Sequence, residues 1–295
     1  MAPEASYELA LGDATVRIRL CSASDVGKMR KNNEDSFLAA LPVSFVADGM
    51  GGHALGDQAS QAVVTTFETL FHTGAPTTSE AVISAISRAN DSVYALTANG
   101  EDVRSMAGTT LAGVALVDLG LPSSASGEGF HWMSFNVGDS RVYSWDGSAL
   151  TQVTVDHSTV QELVDQGLIT RTQAATHPQR NVITRAVGID DFVEADVWLI
   201  PVGGRQLYLM CSDGLTKEVD DGAIAALLLE SDEDRTINPA ERLVAMALGA
   251  GGADNVTVVV VESEVTGGTL PHAEPAAAAL PEFLEDTLPR RQRTP

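Results

Sequence analysis

The chain has 295 residues, 18 basic against 40 acidic side chains, a formal net charge of −22 and 44% hydrophobic residues. That charge excludes an unassisted nucleic-acid or anionic-membrane binder, and the hydrophobic share excludes a disordered protein rich in polar and charged residues. Two cysteines, Cys21 and Cys211, can close at most one bridge, which excludes a disulfide scaffold or a cysteine-rich zinc protein and fits a reducing cytoplasm.

The opening MAPEASYELA has no basic start and no apolar core, and no apolar run approaches the roughly 18 to 20 residues that span a bilayer. The expectation is a cytoplasmic monomer without membrane contact. Alternating or β-branched runs predict strands over 15–22, 43–47, 109–117, 130–137 and 141–145. Between the second and third of these, apolar residues at helical spacing, among them Val82, Ile86, Ala89 and Val93, predict successive helices over 56–71 and 79–98. A helix begins at Thr159 and is ended by Gly167. Strands over 192–199, 206–210 and 255–262 and helices over 224–230 and 239–250 complete the body. Clustered helix pairs without regular strand–helix alternation predict an α+β layered fold in one domain, 1–263. From Glu264 the composition turns to Gly, Thr, Ala and Pro, ending in PRRQRTP, and a disordered tail is expected over 264–295.

The aspartates fall at predicted strand ends. SFVADGMGGH places Asp48 after an apolar run, YLMCSDGL does the same for Asp213, and GGADNVTVVVV puts Asp254 before one. A following glycine, Gly49 or Gly214, lets the backbone turn and present its own carbonyl. Oxygen-only donors select Mg²⁺ or Mn²⁺ over zinc. Three carboxylates and one hydroxide balance the charge of two divalent ions. Taken singly, each Asp-Gly is also ordinary turn chemistry.

In order, MRKNNEDSF, VADGMGGH, AGTTL, NVGDSRVY, HPQRNVITRAVG, CSDGL and DNVTVVV cover roughly four fifths of the chain. This set resembles the bacterial branch of the type-2C metal-dependent protein phosphatases, the PPM family. The resemblance implies a four-layer α-β-β-α sandwich, two antiparallel sheets flanked by helix pairs, with a metal site in the cleft at one end. It implies that Asp48 bridges two Mn²⁺ or Mg²⁺ ions, that the Gly49 carbonyl binds one of them, and that Asp213 and Asp254 complete the other site. Glu34 and Asp35 then hydrogen-bond metal-held water, and Arg30 grips the substrate phosphate through its planar fork. The implied reaction is hydrolysis of phosphoserine and phosphothreonine in proteins, the products of serine/threonine kinases, by a hydroxide bridging the two ions and without a phosphoenzyme. A cysteine route would need an arginine six residues after the nucleophile, where Gly27 and Lys217 stand instead.

The resemblance also places a third, weaker ion at Asp139 with Asp213. This chain departs there: Lys217 stands where many relatives carry an acid, and its charge is expected to weaken or replace that ion. His53 is the candidate to protonate the leaving oxygen, although other branches carry that histidine directly after the Asp-Gly pair, where this chain has Met50. Thr109 and Thr110 are expected beside the site as supporting strand residues. Arg180, Asn181 and Arg185 lie in the family's flap-like segment, facing substrate or solvating a loop. A rival reading, the G-x-G-x-x-A run of Gly49, Gly51 and Ala54 as a dinucleotide fingerprint, fails because two helices in succession replace the required strand–helix–strand unit. The other rival, a silent phosphoprotein-binding module, gives no reason to retain the acids together with the arginine.

Overall fold

A computed structural model of the chain describes residues 4–51, 55–72, 74–98, 107–121, 129–234 and 236–267. Two antiparallel sheets are stacked. One contains β1 (Glu4–Leu11), β2 (Ala14–Asp25), β8 (Arg141–Trp145), β9 (Leu150–Gln152), β11 (Arg205–Cys211) and β12 (Val256–Gly267), in the order β1-β2-β12-β11-β8-β9. The other contains β3 (Asp35–Ala39), β4 (Val43–Gly51), β6 (Leu111–Asp118), β7 (Phe130–Val137) and β10 (Asp196–Pro201), in the order β10-β7-β6-β4-β3, and β5 (Ala107–Thr109) pairs with the end of β4.

Three apolar layers explain the stacking. Val16, Ile18, Val46, Val114, Trp132, Tyr208 and Val259 fill the space between the sheets. On the outer face of the second sheet, Phe45, Val117 and Phe135 pack against Val63 and Phe67 of α1 (Leu55–Leu70) and against Val82, Ile86 and Val93 of α2 (Ser79–Ala98). On the outer face of the first, Leu209, Val258 and Val260 meet Leu228 of α6 (Asp221–Glu233) and Leu243 of α7 (Pro239–Ala250). The run VTVVVV is buried on both faces because β12 lies between β2 and β11 and between two of these layers. The expected α-β-β-α sandwich is the observed one. Every strand ladder is antiparallel, which removes the dinucleotide reading.

Three strands were not expected: β1, β3 and β9. Their lengths are 8, 5 and 3 residues, and all three lie at sheet edges, where one-sided packing leaves only a weak apolar signal. The segment expected as one strand over 109–117 is two, divided at Thr110. β12 continues past the expected boundary at Glu264: Glu264 pairs with Arg17 and Gly267 with Thr15. The rest of the expected tail, 268–295, lies outside the described residues. Among the described residues no helix is long and apolar enough to cross a membrane. Cys21 and Cys211 are both buried and are not joined in a disulfide.

Candidate active site

At one end of the sandwich the sheets deliver acids from five places. β4 carries Asp48, and the first residue of β3, Asp35, is its register partner. The β7–β8 connection carries Asp139. Asp213 opens the single turn α5 (Asp213–Thr216) directly after β11 and Ser212, and Asp254 precedes β12. Asp48 is therefore inside its strand rather than beyond its end. Its backbone is fixed on both sides: the Asp48 N–H donates to Thr110 Oγ1 at 2.9 Å, and its carbonyl accepts from the Thr110 N–H at 2.9 Å and from Thr109 Oγ1 at 3.0 Å. The two threonines thus hold the aspartate backbone.

The glycines have a different task from the expected turn. A Cβ on Gly49 would lie 2.0 Å from the Gly56 carbonyl oxygen and 2.5 Å from that of Glu34, and one on Gly214 would lie 1.9 Å from the Asn255 carbonyl oxygen. Only glycine permits these backbone approaches. They seat α1 and the loop before β3 against β4, and α5 against the start of β12.

Burial dominates the electrostatics, with the crowding of like charge added to it. Burial, with Asp35 and Asp213 added to it, holds the Asp48 carboxyl well above the usual carboxylate range. Burial pushes Asp35 up to about 6, although hydrogen bonds from Thr257 and Ser212 oppose it. Burial with Asp213 nearby pushes Asp139 up to about 7. Asp213 is raised by burial, against the pull of Lys217, and burial raises Glu34 against Arg30. Two buried carboxylate oxygens, Asp213 Oδ1 and Asp35 Oδ1, have no hydrogen-bond partner.

Cations answer part of this charge. Arg30, expected to face substrate, forms a two-point pair with Asp254, Nε to Oδ1 at 2.8 Å and Nη2 to Oδ2 at 3.0 Å. Lys217 Nζ lies 2.5 Å from Asp213 Oδ2 and 3.3 Å from Asp254 Oδ2. Asp48, Asp213 and Asp254 meet at one end of the molecule, yet among the described residues no three His, Cys, Asp or Glu side chains stand close enough to form a ready-made cation cage. His53 lies outside the described residues.

A cleft of about 690 Å³ opens here, with Asp139, Asp213, Asp254 and Lys217 on its wall and Arg171 and Arg180 on the opposite, flap side; Asp48 and Arg30 are not on its lining. The segment expected as the flap, 171–188, comprises α4 (Arg171–Ala174) and the loop that follows it, and α3 (Thr159–Asp165) precedes it. Asn181 also lines the cleft. Arg185 is not on this lining; it donates to the Glu194 carbonyl at 2.9 Å and to Asp196 Oδ1 at 2.8 Å. His157 secures the same region, its Nδ1 accepting from the Gly138 N–H at 3.0 Å and its Nε2 lying 3.3 Å from Asp196 Oδ2.

The sequence pattern described as protein phosphatase 2C matches residues 29–232 of the chain. The chain belongs to the protein phosphatase 2C family. As a phosphatase 2C chain it is 37% identical over 250 residues to the serine/threonine protein phosphatase PstP of Mycobacterium tuberculosis, a match covering 84% of this chain and 45% of that protein. The chain thus spans less than half of that relative's length. It is 33% identical over 254 residues to the serine/threonine phosphatase stp of Listeria monocytogenes, covering 82% of this chain and 95% of that one. The crystal structure of the catalytic domain of PstP in complex with two manganese ions superposes with a TM-score of 0.71 at 33% identity, covering 84% of this chain and 99% of that one.

Two residues of this phosphatase 2C site were not singled out from the sequence. The Asn255 Oδ1 accepts the Glu34 N–H at 2.9 Å, and its amide donates to the Val26 and Asn32 carbonyls, each at 2.9 Å. That side chain fastens the loop bearing Arg30 and Glu34 to the strand after Asp254. Ser212 donates to Asp35 Oδ2 at 2.8 Å and accepts from the Thr257 N–H at 3.0 Å. Both adjoin a flagged aspartate, and that adjacency is the only signal the sequence offered.

Proposed function

We propose that the chain hydrolyses phosphoserine and phosphothreonine in proteins, with two divalent cations, Mn²⁺ or Mg²⁺, held by Asp48, the Gly49 carbonyl, Asp213 and Asp254. The carrying observation is the surplus of carboxylate charge around one cleft, in a chain of this family. Six carboxylates line that cleft against Arg141, Arg171, Arg180 and Lys217, and Asp48 and Asp35 add charge behind it. A phosphate dianion is repelled from such a wall until cations reverse its sign. The donors fit hard cations: all are oxygens, and buried Asp213 Oδ1 still lacks a partner.

When bound, the two ions supply an attacking hydroxide at neutral pH and offset charge on the phosphoryl oxygens, so no phosphoenzyme forms. The chain's own residues do the positioning. Thr109 and Thr110 immobilise the Asp48 backbone. Ser212 orients Asp35, leaving Asp35 Oδ1 free to accept from water. Arg30, only half-buried on Asp254, is the guanidinium that can turn to a substrate phosphate. Asp139 already has Lys217 as a nearby positive charge, so a third ion there has least to gain.

The test is hydrolysis of p-nitrophenyl phosphate and of a phosphothreonine peptide, with Mn²⁺ and with EDTA. Turnover should need the metal and fall by more than about 100-fold in Asp213→Asn. Metal-independent turnover, or an Asp213→Asn variant as active as wild type, overturns the reading.

A further inference from the structure

We propose that Lys217 is a tethered cation that competes with divalent ions for Asp213 and Asp254 and so sets a low metal affinity in this chain. The proposal rests on the metal reading given above. Lys217 follows Asp213 by one helical turn, which places both side chains on one face, and its ammonium contacts Oδ2 of Asp213 and Oδ2 of Asp254. One side chain therefore bridges aspartates delivered by two separate connections, the one after β11 and the one before β12.

The surroundings hold that ammonium in place. Arg30 pairs with both oxygens of Asp254 and shares Oδ2 with Lys217, and Asp48 and Asp139 add negative field that favours a cation here. Of the four oxygens on Asp213 and Asp254, only Asp213 Oδ1 has no partner. A divalent ion using both aspartates must displace the ammonium from two contacts or bind beside a fixed positive charge. A pair exposed at both ends would contribute little. Here the lysine is exposed but its two acceptors are only 17% and 21% exposed, so screening by water is reduced at the carboxylates and the competition is felt there. Its four-carbon stem lets the ammonium swing outward once displaced, so the charge tunes affinity without blocking the site.

The experiment is calorimetric titration of MnCl₂ into the EDTA-stripped full chain, for wild type, Lys217→Met and Lys217→Arg, with folding checked by circular dichroism. Lys217→Met should bind Mn²⁺ roughly tenfold more tightly, through loss of the fixed charge, while Lys217→Arg stays within about threefold of wild type. Lys217→Gln serves if the methionine variant does not fold. Unchanged or weaker affinity in the neutral variants overturns the proposal, and so does an equal gain in Lys217→Arg. No Mn²⁺ uptake by any variant, wild type included, overturns the metal reading itself and this proposal with it.

Discussion

A single methyl group decides whether this site can assemble. Gly214 lies in the turn α5, where alanine is ordinarily favoured over glycine by about 1 kcal/mol. A Cβ there would meet the Asn255 carbonyl oxygen at 1.9 Å, and that oxygen belongs to backbone that cannot rotate away. The clash outweighs the propensity, because overpacking costs about 1–3 kcal/mol and sometimes more. Gly214→Ala and Gly49→Ala should each lose about 2 kcal/mol or more of stability in urea unfolding, together with most activity. Gly203→Ala, with nothing within 4 Å of its new methyl, should stay within about 0.5 kcal/mol of wild type. The Asp-Gly pairs were visible in the sequence, but the reason for the glycine was not. A turn is a local property, whereas the carbonyls that exclude a side chain belong to Gly56 and Glu34 at Gly49 and to Asn255 at Gly214, and only the folded chain brings them there. The roles of Asn255 and Ser212 were hidden for the same reason, since their bonds reach partners 221 and 177 residues away.

At the level of elements, the flap is held by charge as much as by packing. Ser158 bridges to Ile183 and Thr109 to Val187, while Asp196 at the start of β10 receives Arg185 and faces His157. Burial alone would raise the Asp196 carboxyl, but hydrogen bonds from His157 and Arg185 hold it below the usual carboxylate range. A depressed folded value means that the stabilisation is fully present above the unfolded value, roughly 3.9, and is lost as pH falls through the folded one. Asp196→Asn should therefore cost about 1.5–3 kcal/mol at pH 7, measured by urea unfolding, and the gap to wild type should close on acidification below roughly pH 4. Hydrogen exchange in residues 157–188 should quicken in the variant at neutral pH; a flap as protected as wild type would show that its anchoring is apolar instead. Which elements were legible follows their packing. β12 and α2 each carry a long one-pattern run, VTVVVV or Val82, Ile86, Ala89 and Val93, that must be buried. α5 has only 4 residues, too few for a period, and β3 has 5; yet these two carry Asp213 and Asp35.

Across the whole molecule, the acids belong to different halves of the sandwich. Asp48 and Asp35 sit in the sheet backed by α1 and α2, whereas Asp213 and Asp254 adjoin the sheet backed by α6 and α7. On the proposed metal reading, cations held between them would tie one half to the other across the apolar layer that joins the sheets, in a chain whose charge of −22 otherwise works against compactness. Binding to the folded state alone stabilises by mass action, about 2.7 kcal/mol at a ligand concentration 100 times the Kd. For a domain of this size each 1 kcal/mol moves the melting temperature by about 2–4 °C. Mn²⁺ at that excess should raise Tm by about 5–10 °C over an EDTA-treated sample, and NaCl at matched ionic strength should not reproduce the shift, since general screening of surface charge is not site binding. The cross-sheet origin of the effect is separable from binding to one half alone. On the proposed metal reading, Asp48→Asn would leave the ions only the Gly49 carbonyl in the second sheet, so the shift should shrink even where calorimetry still detects uptake at Asp213 and Asp254. A full shift in that variant would place the stabilising ion wholly within the half built on β11 and β12.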